Sequence, residues 1–223
     1  LFLLFLIYTP FLLFILIKGR YRKGLGERFG FLPENIINQF KDTDTIWIHA
    51  ASVGETKAAV PLVKAIKNEY PDYKILFSTM TDTGREMAKK SLEDIDGLIY
   101  LPLDFNFVVK KVLKKINPEI LITIETELWP NLLKEAKTLG TKIMVVSGRI
   151  SDESINKYKY LGPLLTRTLN KVDIFSMQTD LDAERIKSLG ANPDKIKVTG
   201  NIKYDQNFGG NIENLPEIYE EYQ

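Results

Sequence analysis

Three features of the sequence predict an α/β fold built on a doubly wound parallel sheet. Short β-branched runs recur from residue 46 onward, amphipathic stretches separate them, and the runs are apolar throughout. Continuous apolar runs suit strands buried on both faces, and regular alternation of strand and helix gathers them into one sheet through right-handed crossovers. The strand candidates, in order, are IWIHAA (46–51), KILFST (74–79), GLIYLPL (97–103), EILITIE (119–125), KIMVVS (142–147), VDIFSMQ (172–178) and KIKVTG (195–200). Between them lie the helical patterns TKAAVPLVKAIKNEY (56–70), FVVKKVLKKIN (107–117), NLLKEAKTLG (131–140) and DLDAERIKSLG (180–190). The last two close on Gly140 and Gly190, as helices commonly do.

Composition narrows the function. The 223 residues include no cysteine and one histidine, and the formal charge is +1. That excludes a disulfide framework and a multi-histidine metal site, and gives no ground for a nucleic-acid partner. With 44% hydrophobic and 26% charged residues the chain can bury a sizeable core, in one domain or a domain with an appendage. No strand is followed by a G-x-G-x-x-G or Walker-type loop, so neither dinucleotide nor P-loop nucleotide binding is expected, and no cofactor or metal is assigned.

The first residues depart from this average. LFLLFLIYTPFLLFILI (1–17) carries no charge, and KGRYRK (18–23) comes immediately after it. A membrane helix needs roughly 17–25 apolar residues. A proline such as Pro10 is tolerated there, and the cluster of Lys18, Arg20, Arg22 and Lys23 places the rest of the chain on the cytoplasmic side. A signal peptide would carry its charges before the apolar run and a small-residue cleavage site after it, and neither is present. Residues 1–17 are therefore expected to be a single-pass anchor that has lost residues upstream, since the chain opens on Leu.

In open α/β sheets, ligands bind outside the carboxyl ends of the strands. There the chain carries ASVGET (51–56), ITIETELWPN (122–131) and VTGNIKYD (198–205). Ser52 and Glu55 have the S-x-x-E spacing of a capping box, in which the serine takes the N3 amide and the glutamate reaches back to the cap amide. The same position at a strand end, left bare by Gly54, suits a general base whose pKa burial lifts toward neutrality. Glu125 and Glu127 read either as an acidic first turn favoured by the helix dipole or as paired carboxylates on one side of an extended segment. Lys203 is a surface lysine or a charge set against a developing anion. STMTDTGRE (78–86) and SGRIS (147–151) add Thr81, Arg85 and Arg149 as a candidate anion-binding rim, and His49 reads as a core histidine.

Taken together, GERFG, ASVGET, TMTDTGRE, YLPLD, ETELWPNL, SGRIS and GNIKYD resemble the amino-terminal half of bacterial Kdo transferases. The resemblance implies a Rossmann-like domain, one half of a GT-B glycosyltransferase. It also implies inverting transfer of 3-deoxy-D-manno-octulosonic acid (Kdo) from CMP-Kdo to the lipid A precursor, lipid IVA, at the inner membrane in lipopolysaccharide synthesis. By the same resemblance Glu55 would be the general base, with Glu125 and Lys203 stabilising the transition state; Ser52, Gly54, Thr81, Arg85 and Arg149 are expected, from their strand-end positions, to form an acceptor or anion rim. The expected organisation is an anchor (1–17), a basic lead-in (18–45), the acceptor-side domain (46–206) and a linker (207–223) toward a donor-binding domain that this sequence lacks. A fragment of that kind is expected to fold but to transfer poorly. Other readings are a different inverting GT-B enzyme, a non-catalytic lipid-binding module, and, weakest, a receiver-like regulator.

Overall fold

A computed structural model describes residues 23–159 and 162–207. Within them, two short helices, α1 (Leu25–Arg28) and α2 (Glu34–Gln39), precede β1 (Thr45–Ala50), α3 (Val53–Glu69) and β2 (Lys74–Thr79). Next come α4 (Asp82–Ser91), β3 (Gly97–Tyr100), α5 (Asn106–Ile116), β4 (Ile120–Ile124), α6 (Pro130–Thr138) and β5 (Lys142–Gly148). The chain continues through α7 (Asp152–Lys159), α8 (Gly162–Leu169), β6 (Ile174–Met177), α9 (Asp180–Ser188) and β7 (Ile196–Val198), and a 3-10 turn (Ile202–Asn207) ends the described chain. The anchor expected at residues 1–17 and nearly all of the expected linker lie outside the described residues. Among the described residues no helix is long and apolar enough to cross a membrane.

All pairings are parallel, and the seven-stranded sheet runs β3-β2-β1-β4-β5-β6-β7. The order winds outward from β1 to one edge, returns, and leaves from β4 to the other. The crevice at that reversal is where such a sheet binds its ligands.

The central strands feed two cores. On β1, Ile46, Ile48 and Ala50 face Ala59, Val63 and Ile66 of α3 and Ala88 of α4. Trp47 faces the other layer, with Leu76, Leu121, Val109 and Val112 of α5 and Leu132 and Leu133 of α6. Burial on both sides is why the strands lack polar alternation. Helix α5 buries positions 108, 109, 112, 113 and 116, one face of a 3.6-residue period. As expected, Gly140 and Gly190 are left-handed, at φ 91° and 100°.

The lead-in differs from its expectation. Leu32, Ile36 and Phe40 belong to the first core, and Phe40 is 1% exposed. A Cβ on Gly97 would fall 2.5 Å from the Phe40 ring, so the segment before β1 is packed into the domain rather than set apart from it. Truncating a ring buried to this degree costs about 3–5 kcal/mol.

Candidate active site

The turn from β1 into α3 answers the question posed by S-x-x-E. Ser52 is the N-cap, and its Oγ accepts from Glu55 N at 3.3 Å. The glutamate reaches one residue further back than the capping-box pattern requires. Its Oε2 accepts from Ala51 N at 2.7 Å, while Oε1 accepts from the Ser52 hydroxyl at 2.7 Å. Glu55 is only 8% exposed. Burial pushes its carboxyl above the ordinary range, opposed by these two hydrogen bonds, with a smaller upward push from Glu125 and a smaller downward pull from Lys203. One residue therefore serves as helix cap and as a carboxylate aligned at the sheet's reversal. A Cβ on Gly54 would meet only Ser52 Oγ, at 3.9 Å, so the approach beside the turn is open.

Across the reversal, β4 ends in Glu125. Its backbone is left-handed, at φ 58°, and its amide donates to Val146 O at 2.8 Å, which turns the strand abruptly outward. A non-glycine residue held there stores roughly 1–2 kcal/mol. Oε1 accepts from Lys203 Nζ at 2.9 Å, although Lys203 comes from beyond the far edge strand. Two contacts bring it back to the centre. Ile202 packs into the core layer under α3, and its amide donates to Ser147 Oγ at 3.3 Å. Ser147, itself at φ 56°, also receives Gln178 Nε2 at 3.0 Å on its carbonyl, while Asn201 Oδ1 accepts from Lys203 N at 3.0 Å. Ser147, Gln178 and Asn201 position the lysine and were not singled out by the sequence reading. Their strand-end locations were the only signal for them.

Glu127 adds a third carboxylate. Burial pushes it up to about 7, and the neighbouring Glu55 and then Glu125 also act on it, Glu55 as the largest upward charge effect. The Trp129 indole pulls it down, although Nε1 makes no hydrogen bond of ordinary geometry. Three carboxylates thus lie within electrostatic reach of one another, with one amine paired to Glu125, an arrangement that favours holding a proton and favours positive charge forming nearby. Beneath them His49 is fully buried, with Nδ1 at 3.1 Å from Ser78 O, and burial lowers it to about 4. It is a neutral core residue, as expected. Among the described residues no group of three or more acidic or histidine side chains is arranged to hold a metal ion.

The rim residues divide. Arg149 is exposed, and its backbone is tied to Thr126 Oγ1 through N at 2.9 Å and O at 2.6 Å, beside Glu125. Thr81 caps α4, its Oγ1 accepting from Gly84 N at 3.0 Å. Arg85 lies in a separate cluster at the β3 edge. Its Nη1 and Nη2 donate to Glu27 at 2.7 and 3.3 Å, and Nη2 also donates to Leu98 O at 3.1 Å. Its guanidinium stacks on Tyr100, as does that of Arg28, at 4.5 and 4.3 Å from the ring centre. Asp104, the last residue of YLPLD, caps α6 by accepting from Asn131 N at 3.0 Å and Leu132 N at 2.7 Å. That cap holds the helix that comes after the Glu125–Glu127 loop.

Comparison with known proteins identifies the family and the fold. Over residues 23–206 the chain matches the family model described as 3-deoxy-D-manno-octulosonic-acid transferase (kdotransferase). It is 36% identical over 188 residues to the 3-deoxy-D-manno-octulosonic acid transferase of Haemophilus influenzae, covering 84% of this chain and 43% of that protein. It is 33% identical to the enzyme of that name from Chlamydia pneumoniae, covering 89% and 45%. A bifunctional glycosyltransferase/methyltransferase of Fusobacterium nucleatum is 43% identical over 190 residues, covering 82% and 30%. The chain thus spans less than half the length of these relatives. Among solved structures, the UDP-GlcNAc 2-epimerase of Neisseria meningitidis bound to UDP-GlcNAc shares the fold at TM-score 0.54 and 12% identity, covering 79% of this chain and 53% of that one. The Methanocaldococcus jannaschii UDP-GlcNAc 2-epimerase does so at TM-score 0.53 and 15% identity, covering 80% and 53%. Motifs, sheet topology and the match over residues 23–206 converge: the chain belongs to the 3-deoxy-D-manno-octulosonic-acid transferase family of glycosyltransferases.

Proposed function

We propose that this domain is the acceptor-side half of an inverting GT-B enzyme that transfers Kdo from CMP-Kdo to the lipid A precursor, lipid IVA, at the cytoplasmic face of the inner membrane. The observation that carries the reading is the Glu55 carboxylate, buried at the sheet's reversal and aligned by Ala51 N and the Ser52 hydroxyl. As general base it takes the proton from an acceptor hydroxyl while that oxygen attacks the anomeric carbon of Kdo and CMP departs. Its raised pKa suits the task, because a base works best when its pKa lies near the working pH.

Lys203 and Glu125 take complementary parts. The ammonium meets the negative charge of the sugar carboxylate or the departing phosphate. The Glu125 carboxylate faces the positive character that develops at the anomeric carbon as the bond to CMP lengthens. In the resting site each neutralises the other at 2.9 Å, so neither charge stands alone before substrate arrives. In this reading the CMP moiety is held by a second, carboxy-terminal domain, and Gly54 and Arg149 border the acceptor.

The test is Glu55→Gln in a complete transferase carrying this domain, with transfer from CMP-Kdo to lipid IVA and a thermal melt measured together. Glutamine can still accept from Ala51 N but cannot take a proton. The expected result is a fall of at least roughly a hundredfold in kcat with the melt unchanged. Full activity in the variant would leave Glu55 a helix cap and favour a lipid-binding role. Transfer with a different nucleotide sugar in place of CMP-Kdo would identify another inverting GT-B enzyme.

A further inference from the structure

Three buried polar atoms at the base of the Glu125–Glu127 loop make no hydrogen bond of ordinary geometry among the described residues: His49 Nε2, Thr123 Oγ1 and Trp129 Nε1. His49 and Thr123 are 0% exposed, and they are register partners on the adjacent parallel strands β1 and β4. Their side chains therefore stand side by side on one face of the sheet. Trp129, the residue before α6, packs against the core layer on that face, its ring edge-on to the imidazole with centres 6.4 Å apart. Buried polar groups in a folded protein are nearly always paired, so three orphans on neighbouring residues call for one explanation.

The rest of the row fixes the chemistry of the partner they share. On the far side of His49, Ser78 of β2 sits in register, and Nδ1 lies 3.1 Å from its carbonyl oxygen and 3.0 Å from its Oγ. A carbonyl oxygen only accepts, so we assign the ring proton to Nδ1; Trp47 Nε1 donates to the same Ser78 Oγ at 2.8 Å. The buried ring is neutral, which leaves Nε2 as an acceptor. The indole N–H of Trp129 can only donate, and the Thr123 hydroxyl can do either. A group that joins all three must both accept and donate. A metal ion cannot accept the indole N–H, and an anion would be set against the Glu127 and Glu55 carboxylates. Water meets the demand, and a buried water typically makes about three hydrogen bonds.

Thr123 and Trp129 also bracket the loop that carries the chemistry. Thr123 precedes Glu125 by two residues, and Trp129 follows Glu127 by two. Between them Glu125 holds its left-handed backbone at φ 58°, a conformation that persists only where the surroundings over-determine it. We propose that His49 Nε2, Thr123 Oγ1 and Trp129 Nε1 bind one internal water, and that through it His49 acts as a positioning residue, tying both ends of the Glu125–Glu127 loop to β1. The water gathers the start and the finish of the loop at one point on the strand that leads into Glu55. Glu125 is thereby held where Lys203 Nζ meets it at 2.9 Å. The water site stands on the geometry alone, whereas its catalytic purpose rests on the function proposed above.

The experiment is a crystal structure of a complete transferase carrying this domain, at a resolution that shows ordered water, joined to steady-state kinetics with CMP-Kdo and lipid IVA. The wild-type map should hold one water within hydrogen-bond distance of all three atoms, and the map of His49→Leu should lose it. Thr123→Val, close to isosteric, removes one partner of the water and spares the fold. Both variants should lower kcat by about tenfold to a hundredfold with KM for CMP-Kdo nearly unchanged, the scale of reacting groups slightly misplaced by a distant change. His49→Gln, whose amide reaches the place of Nε2, should keep the water and most of kcat. A wild-type site without water, or a direct hydrogen bond between Trp129 and His49, overturns the site. A wild-type kcat in both His49→Leu and Thr123→Val overturns the positioning role, and so does a His49→Gln enzyme no faster than His49→Leu. The map is read without any sugar transfer. Full activity in Glu55→Gln would therefore leave the water site standing, and a dry wild-type site would leave Glu55 as the base.

Discussion

The β3 edge and the centre of the sheet are built from the same kinds of residue, yet their charges are arranged to opposite ends. At the edge, Glu27 accepts from Arg85 and from Tyr100 N at 2.8 Å, Arg28 Nη2 donates to Met80 O at 2.6 Å, and the Tyr100 hydroxyl donates to Asp82 at 2.6 Å. Burial, and then that bond to Asp82, hold the Tyr100 hydroxyl up at about 12, so it stays a donor. Both guanidinium groups have a fixed place, and the cluster pins α1 to the sheet. At the centre, Glu55, Glu125 and Glu127 gather with Lys203 paired to Glu125 alone, and the Glu55 and Glu127 carboxyls are displaced upward. Closure of the network marks a structural joint; surplus of one sign marks a site waiting for a partner.

That contrast can be broken at either end. The largest effect is expected from Lys203→Met, which removes the one amine among the described residues that is paired within the central cluster. Transfer should fall by roughly a hundredfold, the scale of one lost charge-stabilising donor, with a melt close to wild type because Lys203 is 40% exposed. Steady-state kinetics with CMP-Kdo check it. Arg85→Met should do the reverse, since it opens a largely buried pair that belongs to the β3-edge cluster. It should cost about 3 kcal/mol, seen as a melt lower by roughly 6–12 °C, while kcat of the folded fraction is preserved.

Glu127→Gln sharpens the comparison through pH. An acid with a higher pKa in the folded state takes up protons on folding. Its adverse effect on stability is therefore absent below the ordinary value of 4.5 and grows as pH rises toward about 7. The variant should melt like wild type near pH 4 and several degrees higher above pH 7. Parallel melting curves across that range would show that Glu127 is not under strain. The smallest effect is expected from Gly54→Ala, where the added methyl meets open space in a helix. Stability should be unchanged or up by about 0.5–1 kcal/mol, whereas KM for the lipid acceptor should rise if the acceptor passes this turn.

Much of this architecture was legible in the sequence, for identifiable reasons. Seven apolar runs mark the seven strands to within a few residues, because in the central strands double burial leaves little room for polar side chains. Helices α1, α2, α4, α7 and α8 were not among the helical patterns read from the sequence. They have four, six, ten, eight and eight residues, which gives a period little length in which to declare itself. Glu55 was legible as a cap because its partners are three and four residues away. The Glu125–Lys203 pair spans 78 positions and depends on Ile202 crossing back under α3, so no local pattern announces it. Family resemblance pointed to both residues; their contact came from the fold. Arg85 shows the same limit from the other side. A strand-end arginine suggests an anion site, but its partner Glu27 precedes the first strand and could not be foreseen from spacing.

Glu125 and Ser147, near the ends of adjacent strands, both hold backbone angles that glycine adopts freely. Replacement by glycine would relieve roughly 1–2 kcal/mol of conformational cost at each. At buried Ser147 that gain is offset, because losing the hydroxyl that receives Ile202 N strands a donor at a cost of about 1–3 kcal/mol. At half-exposed Glu125 it is not, so a directed-evolution campaign scored only on thermal survival would drift toward glycine there and discard the carboxylate that meets Lys203. Any stabilisation screen on this domain should carry a transfer assay alongside the heat challenge, because at that codon thermostability and chemistry compete.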